Sequence, residues 1–272
     1  MSIVTISRGS YSRGKEVAEK VAQALGYECI SRDILLDASQ QFQIPEIKLI
    51  RAIHDAPSIL GRFTYGKETY IAYIQSALLK RVQKDNVVYH GLAGHFLLQG
   101  IPHVLKVRII ADLEDRIKEE MKRENISADK ARYILKKDDE ERRKWSQHLY
   151  GIDPWDSSLY DLVMHIRTIS VNDAVRIILD TIKLPHFQTT PESQKILNSS
   201  CIAAQVKAEL VKDFPSLNVS ATEGKVFVSI SSPGKAEEIT QKVNDAAKTV
   251  EGVKEVQVSV IPPLPSAFLR SS

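Results

Sequence analysis

A glycine-rich segment near the amino terminus has the residues of a phosphate-binding loop. Gly9, Gly14 and Lys15 have the spacing G-x-x-x-x-G-K, in which backbone N–H groups surround a phosphate and the lysine neutralises its charge. The segment lies between the apolar run Ile3–Ser7, which predicts a strand, and Lys15–Leu25, which predicts an amphipathic helix. This order aims the N–H groups and the positive helix end at one anion. The placement favours phosphate binding over a turn that binds nothing.

The position after Lys15 departs from the usual loop. Such loops carry a Ser or Thr there as a Mg²⁺ ligand, and this chain carries Glu16. A carboxylate is also a ligand that Mg²⁺ accepts, so Glu16 is a candidate metal ligand; alternatively, it points away and only places a favourable charge at the helix N-terminus. The residues expected to surround the phosphates of a bound nucleotide are Gly9, Ser10, Tyr11, Ser12, Arg13, Gly14, Lys15 and Glu16.

A second group of charged residues lies in a long polar stretch for which Ser127 is the predicted helix N-cap. Asp139 and Arg142 are three residues apart and Arg143 follows directly, so one helical turn presents all three side chains. Phosphoryl transfer depends on positive groups around the developing charge. Arg142 is therefore a candidate transition-state clamp, oriented by Asp139. The alternative is an ordinary surface pair on a charged helix.

Candidate contacts for a second substrate follow two of the predicted strands. Arg32 and Asp33 either contact an acceptor or begin a helix, where Asp33 is a favourable first-turn charge. Arg62 lies in the segment LGRFTYGKETY, which either borders the acceptor or faces solvent. His90 is a candidate proton carrier or polar contact, since the ordinary pKa of histidine lies near neutrality; the alternative is a buried, hydrogen-bonded histidine.

These residues need a scaffold in which strands and helices alternate. Short apolar runs predict strands at Ile3–Ser7, Glu28–Ser31, Asn86–Tyr89, His103–Ala111 and Leu159–Ile166. Amphipathic patterns predict helices at Lys15–Leu25, Ile34–Gln41, Lys67–Gln83, Ala93–Leu98, Asp112–Asn125 and Val171–Ile182. This alternation predicts an α/β fold with a mostly parallel sheet flanked by helices.

The composition changes at Leu184–Ser200, where two prolines and a polar cluster predict an interdomain linker. The predicted organisation is a first domain at 1–184, a linker at 185–200, a small α+β domain at 201–262 and a tail at 263–272. Alternation around Val226–Ile230 indicates that one face of the small sheet is buried, without showing which.

Through EGKVFVSISS and VEGVKEVQVSV the small domain resembles BON-type domains. That family is associated with ligand or membrane-surface binding, and the resemblance implies such a role here. Alternatively, the small domain packs on the first domain or forms a homodimer.

The composition limits the class of protein. The chain has 272 residues, 43% of them hydrophobic, and a formal net charge of +3, which predicts a globular protein and does not support nucleic-acid binding. Cys29 and Cys201 form no C-x-x-C motif, which predicts two inert thiols in a reducing cytosol. The chain shows no signal-peptide pattern and no apolar run of 18 residues, so we expect a cytoplasmic protein. The spacing of the histidines does not predict a structural zinc site.

About residues 1–183 resemble the cytidylate-kinase-like family of P-loop proteins. The resemblance rests on VTISRGSYSRGKEVAEKVAQALGY, YECISRDIL, VVYHGLAGHFLLQGIPHVLKVRIIADLEDRI, DDEERRKWSQHLYGID and LYDLVMHIRTISVNDAVRIIL. It implies a P-loop kinase-type sheet, ATP and Mg²⁺ as cofactors, and transfer of the γ-phosphate to a nucleotide or related small acceptor. The implied catalytic residues are Lys15, Asp139 and Arg142. Arg143 is then a nucleotide contact, and the implied substrate contacts are Arg32, Asp33, Arg62 and His90.

One departure from the family separates two hypotheses. Cytidylate kinases carry a sequence similar to D-G-R-D after the central strand, and its arginine binds the substrate phosphate. At these positions this chain has His90, Gly91 and Leu92. An active kinase therefore needs a positive charge from elsewhere in the acceptor pocket. Without one, the chain is a catalytically inactive nucleotide-binding sensor that signals through its C-terminal domain. A GTPase-like hydrolase is weaker because no D-x-x-G or N-K-x-D element occurs. Candidate sources of the charge are Arg32, Arg51 and Arg62.

Overall fold

The computed structural model describes residues 2–9, 12–31, 33–44, 46, 49, 67–91 and 93–262. Five strands form one sheet in the order β2-β3-β1-β4-β5, and every neighbouring pair is parallel. Parallel strands buried on both faces are typically rich in Val and Ile, as these are. The strands are β1 (Ile3–Arg8), β2 (Glu28–Ile30), β3 (Val87–Tyr89), β4 (Val104–Ala111) and β5 (Leu162–Ile166). The predicted α/β class and parallel sheet are confirmed.

Helices cover both faces of this sheet. On one face, Val4 and Ile6 of β1 pack with α1 (Gly14–Leu25) and α7 (Val171–Thr181). On the other face, Ile3 packs with α2 (Asp33–Phe42), α3 (Lys67–Val82) and α4 (Gly94–Leu97). Because side chains alternate along a strand, the inner strands β1, β3 and β4 contribute to both cores, whereas β5 buries only one face. Two layers of helix around the sheet are thereby fixed by the strand pattern.

A helical hairpin stands between β4 and β5. It consists of α5 (Leu113–Glu124) and α6 (Ala128–Tyr150), and the predicted N-cap Ser127 is confirmed, since its side chain accepts a hydrogen bond from the Lys130 N–H. The hairpin has its own small core around Ile117 and Leu135. Trp145, near the other end of α6, is buried in the main core. The charged stretch is therefore anchored at both ends.

The segment 185–200, predicted as an interdomain linker, is mostly helical. Residues Pro185–Phe187 form a single 3-10 turn, and α8 runs without interruption over Pro191–Leu210, so the helix predicted from Cys201 begins at Pro191. Thr190 caps it through a capping box and Pro191 occupies its first turn, a position that proline favours. Leu197 is fully buried. The proline and polar cluster mark a helix start and not a flexible connection.

Helix α8 is fixed to the end of α3. The Gln83 side-chain amide donates to Asn198 Oδ1 at 2.9 Å, and Gln194 donates to the Gln83 carbonyl at 3.2 Å. Leu197 belongs to the same continuous core as Val226 of the small sheet. The C-terminal elements thus pack directly on the first sheet's helices.

The small C-terminal sheet has the predicted order of elements. Strands β6 (Asn218–Thr222) and β7 (Lys225–Ser231) are antiparallel, and β8 (Glu255–Ile261) pairs with β7 in parallel after α9 (Ala236–Ala247). Val226, Val228 and Ile230 are buried and Phe227 is exposed, which settles the buried face that alternation left open. The domain boundaries and the resemblance to BON-type domains stay predictions.

None of the helices in the described part of the chain is long and apolar enough to cross a bilayer. Both cysteines are free thiols, and burial raises the pKa of each.

Candidate functional site

A pocket opens where the parallel strands reach their carboxyl ends, the usual ligand position in such sheets. Ser7, Arg8 and Gly9 contribute one wall from the end of β1. Tyr89 and His90 contribute a second wall from the end of β3. The first turn of α2, Arg108 of β4, residues from α6 and a segment after α6 complete it. Residues from six separate stretches of the chain therefore meet in one space.

The loop after β1 is held in shape by its own residues. A Cβ on Gly14 would lie 2.7 Å from Cβ of Arg8, so no other residue fits there without movement. Arg13 has a φ of 63°, which turns the chain into α1. The buried Ser12 hydroxyl lies 3.1 Å from the carbonyls of both Gly9 and Ile109. Ser12, predicted as a nucleotide contact, thus directs its side chain to the backbone of the loop and of β4; Ser10 and Tyr11 lie outside the described residues.

The first turn of α1 carries exposed ion pairs. Glu16, the predicted metal ligand, accepts a hydrogen bond from Arg13 Nε at 3.2 Å and lies 3.1 Å from Lys20 Nζ. Lys15 Nζ lies 3.6 Å from Glu19, and its side chain is 64% exposed. Exposed pairs of this kind contribute about 0–1 kcal/mol. Lys15 is therefore only weakly held away from a phosphate, while Glu16 is engaged by two cations.

Helix α6 presents Asp139, Arg142 and Arg143 to the pocket along one face. Asp139 forms an ion pair of 2.8 Å with Arg116 of α5, a residue that the sequence analysis did not identify. The Arg116 guanidinium carbon lies 3.6 Å from the position that a Cβ on Gly9 would occupy. Asp139 thus holds Arg116 against the loop, and its predicted role of orienting Arg142 stays a prediction.

Arg143 lies at the pocket mouth between a carboxylate and an aromatic ring. Its Nε donates to Asp153 Oδ2 at 3.0 Å, and its guanidinium lies 4.5 Å from the centre of the Trp155 ring. The hydrogen bond from Arg143 lowers the pKa of Asp153. Trp155 is about half exposed and lines the pocket. The Arg143 guanidinium thus lies over the Trp155 ring in a cation–π contact at the pocket mouth.

The side of the pocket predicted for the acceptor is partly described. Ile34 and Leu35 of α2 form an apolar wall, and the Asp33 carboxylate accepts a hydrogen bond from the Ser31 N–H at 3.4 Å. Asp33 is also the acidic residue in the first turn of α2, as the alternative expected, and its contact with an acceptor stays a prediction. Arg32, Arg51, Arg62 and Leu92 lie outside the described residues.

His90 lines the pocket and is buried. Its Nδ1 has no side-chain hydrogen-bond partner among the described residues. The burial that the alternative interpretation expected is present, and the role as proton carrier or polar contact stays a prediction. Burial, followed by the charge of Arg8, lowers the pKa of His90, and the ring is neutral at pH 7. The next residue must be glycine, because a Cβ on Gly91 would lie 2.0 Å from the Tyr89 hydroxyl oxygen.

A buried polar network lies behind the pocket, and the sequence analysis missed most of it. The Tyr160 hydroxyl lies 2.9 Å from the Pro154 carbonyl, 3.1 Å from His95 Nε2 and 3.3 Å from Ser7 Oγ. Arg108 of β4 donates to the same hydroxyl at 3.2 Å. One signal for it exists in the sequence: Arg108 is a charged residue inside the apolar strand VLKVRIIA. The other residues of the network lie 13 to 101 positions away from Arg108 in the sequence, and no spacing rule connects them.

The charges of the pocket favour an anionic ligand. Among its described lining residues are Arg8, Arg108, Arg142 and Arg143, against one carboxylate, Asp139. The donor set does not fit a magnesium site held by protein carboxylates, since Asp139 and Glu16 are both ion-paired. No group of three His, Cys, Asp or Glu residues that would hold a metal occurs within the described ranges. Arginines and backbone amides suit phosphate oxygens.

Comparison with known proteins agrees with this geometry. Residues 3–168 match the model of the cytidylate kinase-like family. A cytidylate kinase of Pyrobaculum aerophilum is 26% identical over 182 residues, which cover 66% of this chain and 92% of the relative. A cytidylate kinase of Staphylothermus marinus is 28% identical over 185 residues, covering 66% and 97%. A solved structure of an uncharacterized protein from Eubacterium ventriosum has a TM-score of 0.51 at 20% identity, covering 67% of this chain and 98% of that one; this likeness shows the fold.

Proposed function

We propose, from the premise that this chain belongs to the cytidylate kinase-like family, that it is a nucleotide kinase which transfers the γ-phosphate of ATP to a nucleoside monophosphate. The observation that carries the proposal is the cationic pocket at the end of the phosphate loop, with four arginines and one ion-paired carboxylate among its described lining residues. ATP and a monophosphate both bring phosphate charge to such a site, which arginines offset.

The loop and α5 supply the donor side. Backbone N–H groups at the start of α1 face the phosphates, and Lys15 leaves its weak pair with Glu19 to reach them. Arg116, held by Asp139 against Gly9, adds a fixed positive charge beside the loop. The described residues supply no ligand set for the Mg²⁺ that this family usually uses with ATP. On the donor side, this chain therefore contributes backbone amides and cationic side chains that bind the phosphates.

The transfer itself is an in-line displacement at phosphorus. An oxygen of the acceptor phosphate forms a bond to the γ-phosphorus, the bond to the β–γ bridging oxygen breaks, and ADP leaves. Arg142, which faces the pocket from α6, neutralises charge on the transferring group. His90 is neutral and contributes a polar contact without adding charge. The apolar wall of Ile34 and Leu35 limits water that would compete as acceptor.

The sensor hypothesis depends on an acceptor side without positive charge, because Leu92 replaces the arginine of the family. Arg8, Arg108 and Arg142 line the pocket, so positive charge is present there from other positions. This supports the kinase over the sensor.

A phosphorus NMR time course tests the proposal. The full chain is mixed with ATP, Mg²⁺ and equimolar CMP, UMP, AMP and GMP, and new nucleoside diphosphate signals are expected. Arg142→Ala should slow transfer by about 100-fold or more, the usual cost of losing one transition-state charge contact. The matched control is Lys144→Ala, on the same helix but exposed and paired with Glu140, which should remain within about twofold of wild type.

One outcome would contradict the kinase assignment, and another would contradict only the role of Arg142. Broadened ATP resonances with no diphosphate from any acceptor would favour the sensor. Equal losses in Arg142→Ala and Lys144→Ala would remove the clamp role from Arg142 while leaving the kinase assignment intact.

A further inference from the structure

We infer that Arg108 is the anion-binding residue of the acceptor side, where it takes the place of the arginine that the family carries at the position of Leu92. The inference rests on the proposed function and deepens it: the group that Arg108 recognises is the phosphate of a nucleoside monophosphate. The residue belongs to β4, whereas the family's arginine follows β3. Its role therefore comes from the fold and not from the family motif.

The position of Arg108 in its strand is unusual for a charge. Val107 and Ile109 on either side are fully buried against the face that carries α1 and α7, so Arg108 projects from the opposite face. It pairs in register with Ser7, just before the phosphate loop. An arginine placed inside a parallel strand loses hydration without gaining core packing. A retained charge at this place points to a ligand.

Arg108 forms no ion pair in the described part of the chain. The carboxylate whose pKa its charge helps to lower, Asp153, is already hydrogen-bonded to Arg143. The contacts of Arg108 are the Tyr160 hydroxyl, 3.2 Å from Nη1, and the Tyr160 ring, whose centre lies 5.5 Å from the guanidinium carbon. Neither neutralises it. A partly buried guanidinium in this state is matched by a phosphate, which accepts two parallel hydrogen bonds.

Tyr160 fixes the guanidinium before a ligand arrives. Two acceptors lie near the Tyr160 hydroxyl, the Pro154 carbonyl at 2.9 Å and Ser7 Oγ at 3.3 Å. We assign the single Tyr160 proton to the closer Pro154 carbonyl, which can only accept a hydrogen bond. Burial lowers the pKa of His95 to about 3, with smaller contributions from Arg108 and Lys106, and the neutral ring then donates from Nε2 to the Tyr160 oxygen. The remaining lone pair accepts from Arg108. Tyr160 is therefore a positioning residue with every hydrogen-bonding site used.

The site lies on the acceptor side of the pocket. Arg108 shares the sheet face of Tyr89 and of the helices α2 and α4, whereas Lys15 is carried by α1 on the other face. His90 lines the same space, and its buried Nδ1 has no partner among the described residues. An unused polar atom beside an uncompensated cation is the pattern expected around a polar ligand.

Calorimetric titration with CMP and with cytidine isolates the phosphate contact, because the two differ only in that group. We expect wild type to bind CMP at least about 30-fold tighter than cytidine, and Arg108→Met to reduce this ratio to about threefold or less, as loss of a charged hydrogen-bonding partner predicts. Affinities for cytidine and ATP should change by less than about threefold. Lys106→Met is the matched control, since it removes the same charge two positions earlier on the same face of β4 and outside the pocket lining; its ratio should equal that of wild type.

A second pair of variants separates recognition from folding. Arg108→Lys keeps the positive charge and loses the bidentate hydrogen bonds of the guanidinium. The ratio of its affinities for CMP and cytidine should therefore fall between those of wild type and Arg108→Met. Tyr160→Phe should lower the same ratio while ATP affinity is retained, which a merely structural role would not do. Thermal unfolding of each variant shows that the folded protein was titrated.

The outcomes distinguish this inference from the kinase assignment. An unchanged ratio in Arg108→Met, or a loss confined to ATP, overturns the role of Arg108 even if diphosphate forms in the NMR assay. A ratio that depends on Arg108 without any turnover supports the role and contradicts the kinase. A wild type that does not prefer CMP to cytidine overturns the inference.

Discussion

Glu16 occupies the position at which phosphate loops usually carry a magnesium ligand, yet its carboxylate is bound by Arg13 and Lys20. Both cations would have to be displaced before the carboxylate bound a metal. A carboxylate in the first turn of α1 also has a favourable interaction with the helix N-terminus. At the scale of single residues, these contacts favour a role for Glu16 in the stability of the helix start, and its role as a metal ligand stays a prediction.

The first prediction follows from these contacts. Glu16→Gln should leave the Mg²⁺ concentration required for half-maximal ATP binding within about twofold of wild type, because no metal ligand has been removed. The control is Glu19→Gln, one turn further along the exposed helix. The measurement is ATP affinity over a series of Mg²⁺ concentrations. A large increase in the Mg²⁺ requirement in Glu16→Gln alone would restore the role predicted from the sequence.

Helix α8 is the element whose structure differs most from its prediction. Its first half carries the buried Leu197 next to the exposed Ile196. Because these neighbours are of similar size, substituting each of them tests whether this half of the helix packs in the core or behaves as a linker. Leu197→Ala should lower the free energy of unfolding by about 2–5 kcal/mol through lost burial and a cavity. Ile196→Ala should lower it by less than about 1 kcal/mol. Urea denaturation measures both.

The outcome also concerns domain organisation. Equal and small losses in the two variants would mean that α8 contributes little to the core, as a linker would. A large loss in Leu197→Ala with one cooperative transition would mean that the two sheets unfold as a unit through α3 and α8. The predicted boundary at residue 184 would then separate two sheets of a single folding unit and not two domains that fold independently.

The whole molecule buries several histidines in neutral form. Burial lowers the pKa values of His90, His95 and His103, whereas the unfolded chain protonates them near pH 6.5. The unfolded state therefore binds more protons below this pH, and the free energy of unfolding falls as the pH decreases. For His95 the loss continues down to about pH 3. Above pH 7 these groups contribute no pH dependence.

Urea unfolding at pH 7.5, 6.5, 5.5 and 5.0 tests this expectation. The unfolding free energy should decrease steadily between pH 6.5 and 5.0, above the range in which most carboxylates titrate, by up to about 1.4 kcal/mol per pH unit for each fully titrating histidine. His103→Leu should flatten the curve, since both ring nitrogens of His103 are buried without partners among the described residues. Stability that is constant across this range would contradict the expectation.

The strand and helix pattern was predictable because it depends on local periodicity. Alternation and runs of Val and Ile placed the strands β1 to β5 to within one to three residues at each end, and apolar stripes placed α1, α2 and α3 equally well. Helix α8 was missed at its start because proline and polar residues mark linkers and helix N-termini alike. Only the buried surface of Leu197 distinguishes the two.

The sequence by itself determined the phosphate loop, since its glycines, its lysine and the flanking strand and helix are contiguous. It also determined the parallel α/β class. Only the tertiary structure decided which residues share the pocket, because that depends on the order β2-β3-β1-β4-β5, which brings Ser7 beside Arg108. The ion pair between Asp139 and Arg116 depends in the same way on the packing of α5 against α6. Contacts between residues about 20 to 100 positions apart are set by packing and strand order, and no spacing rule along the chain encodes them.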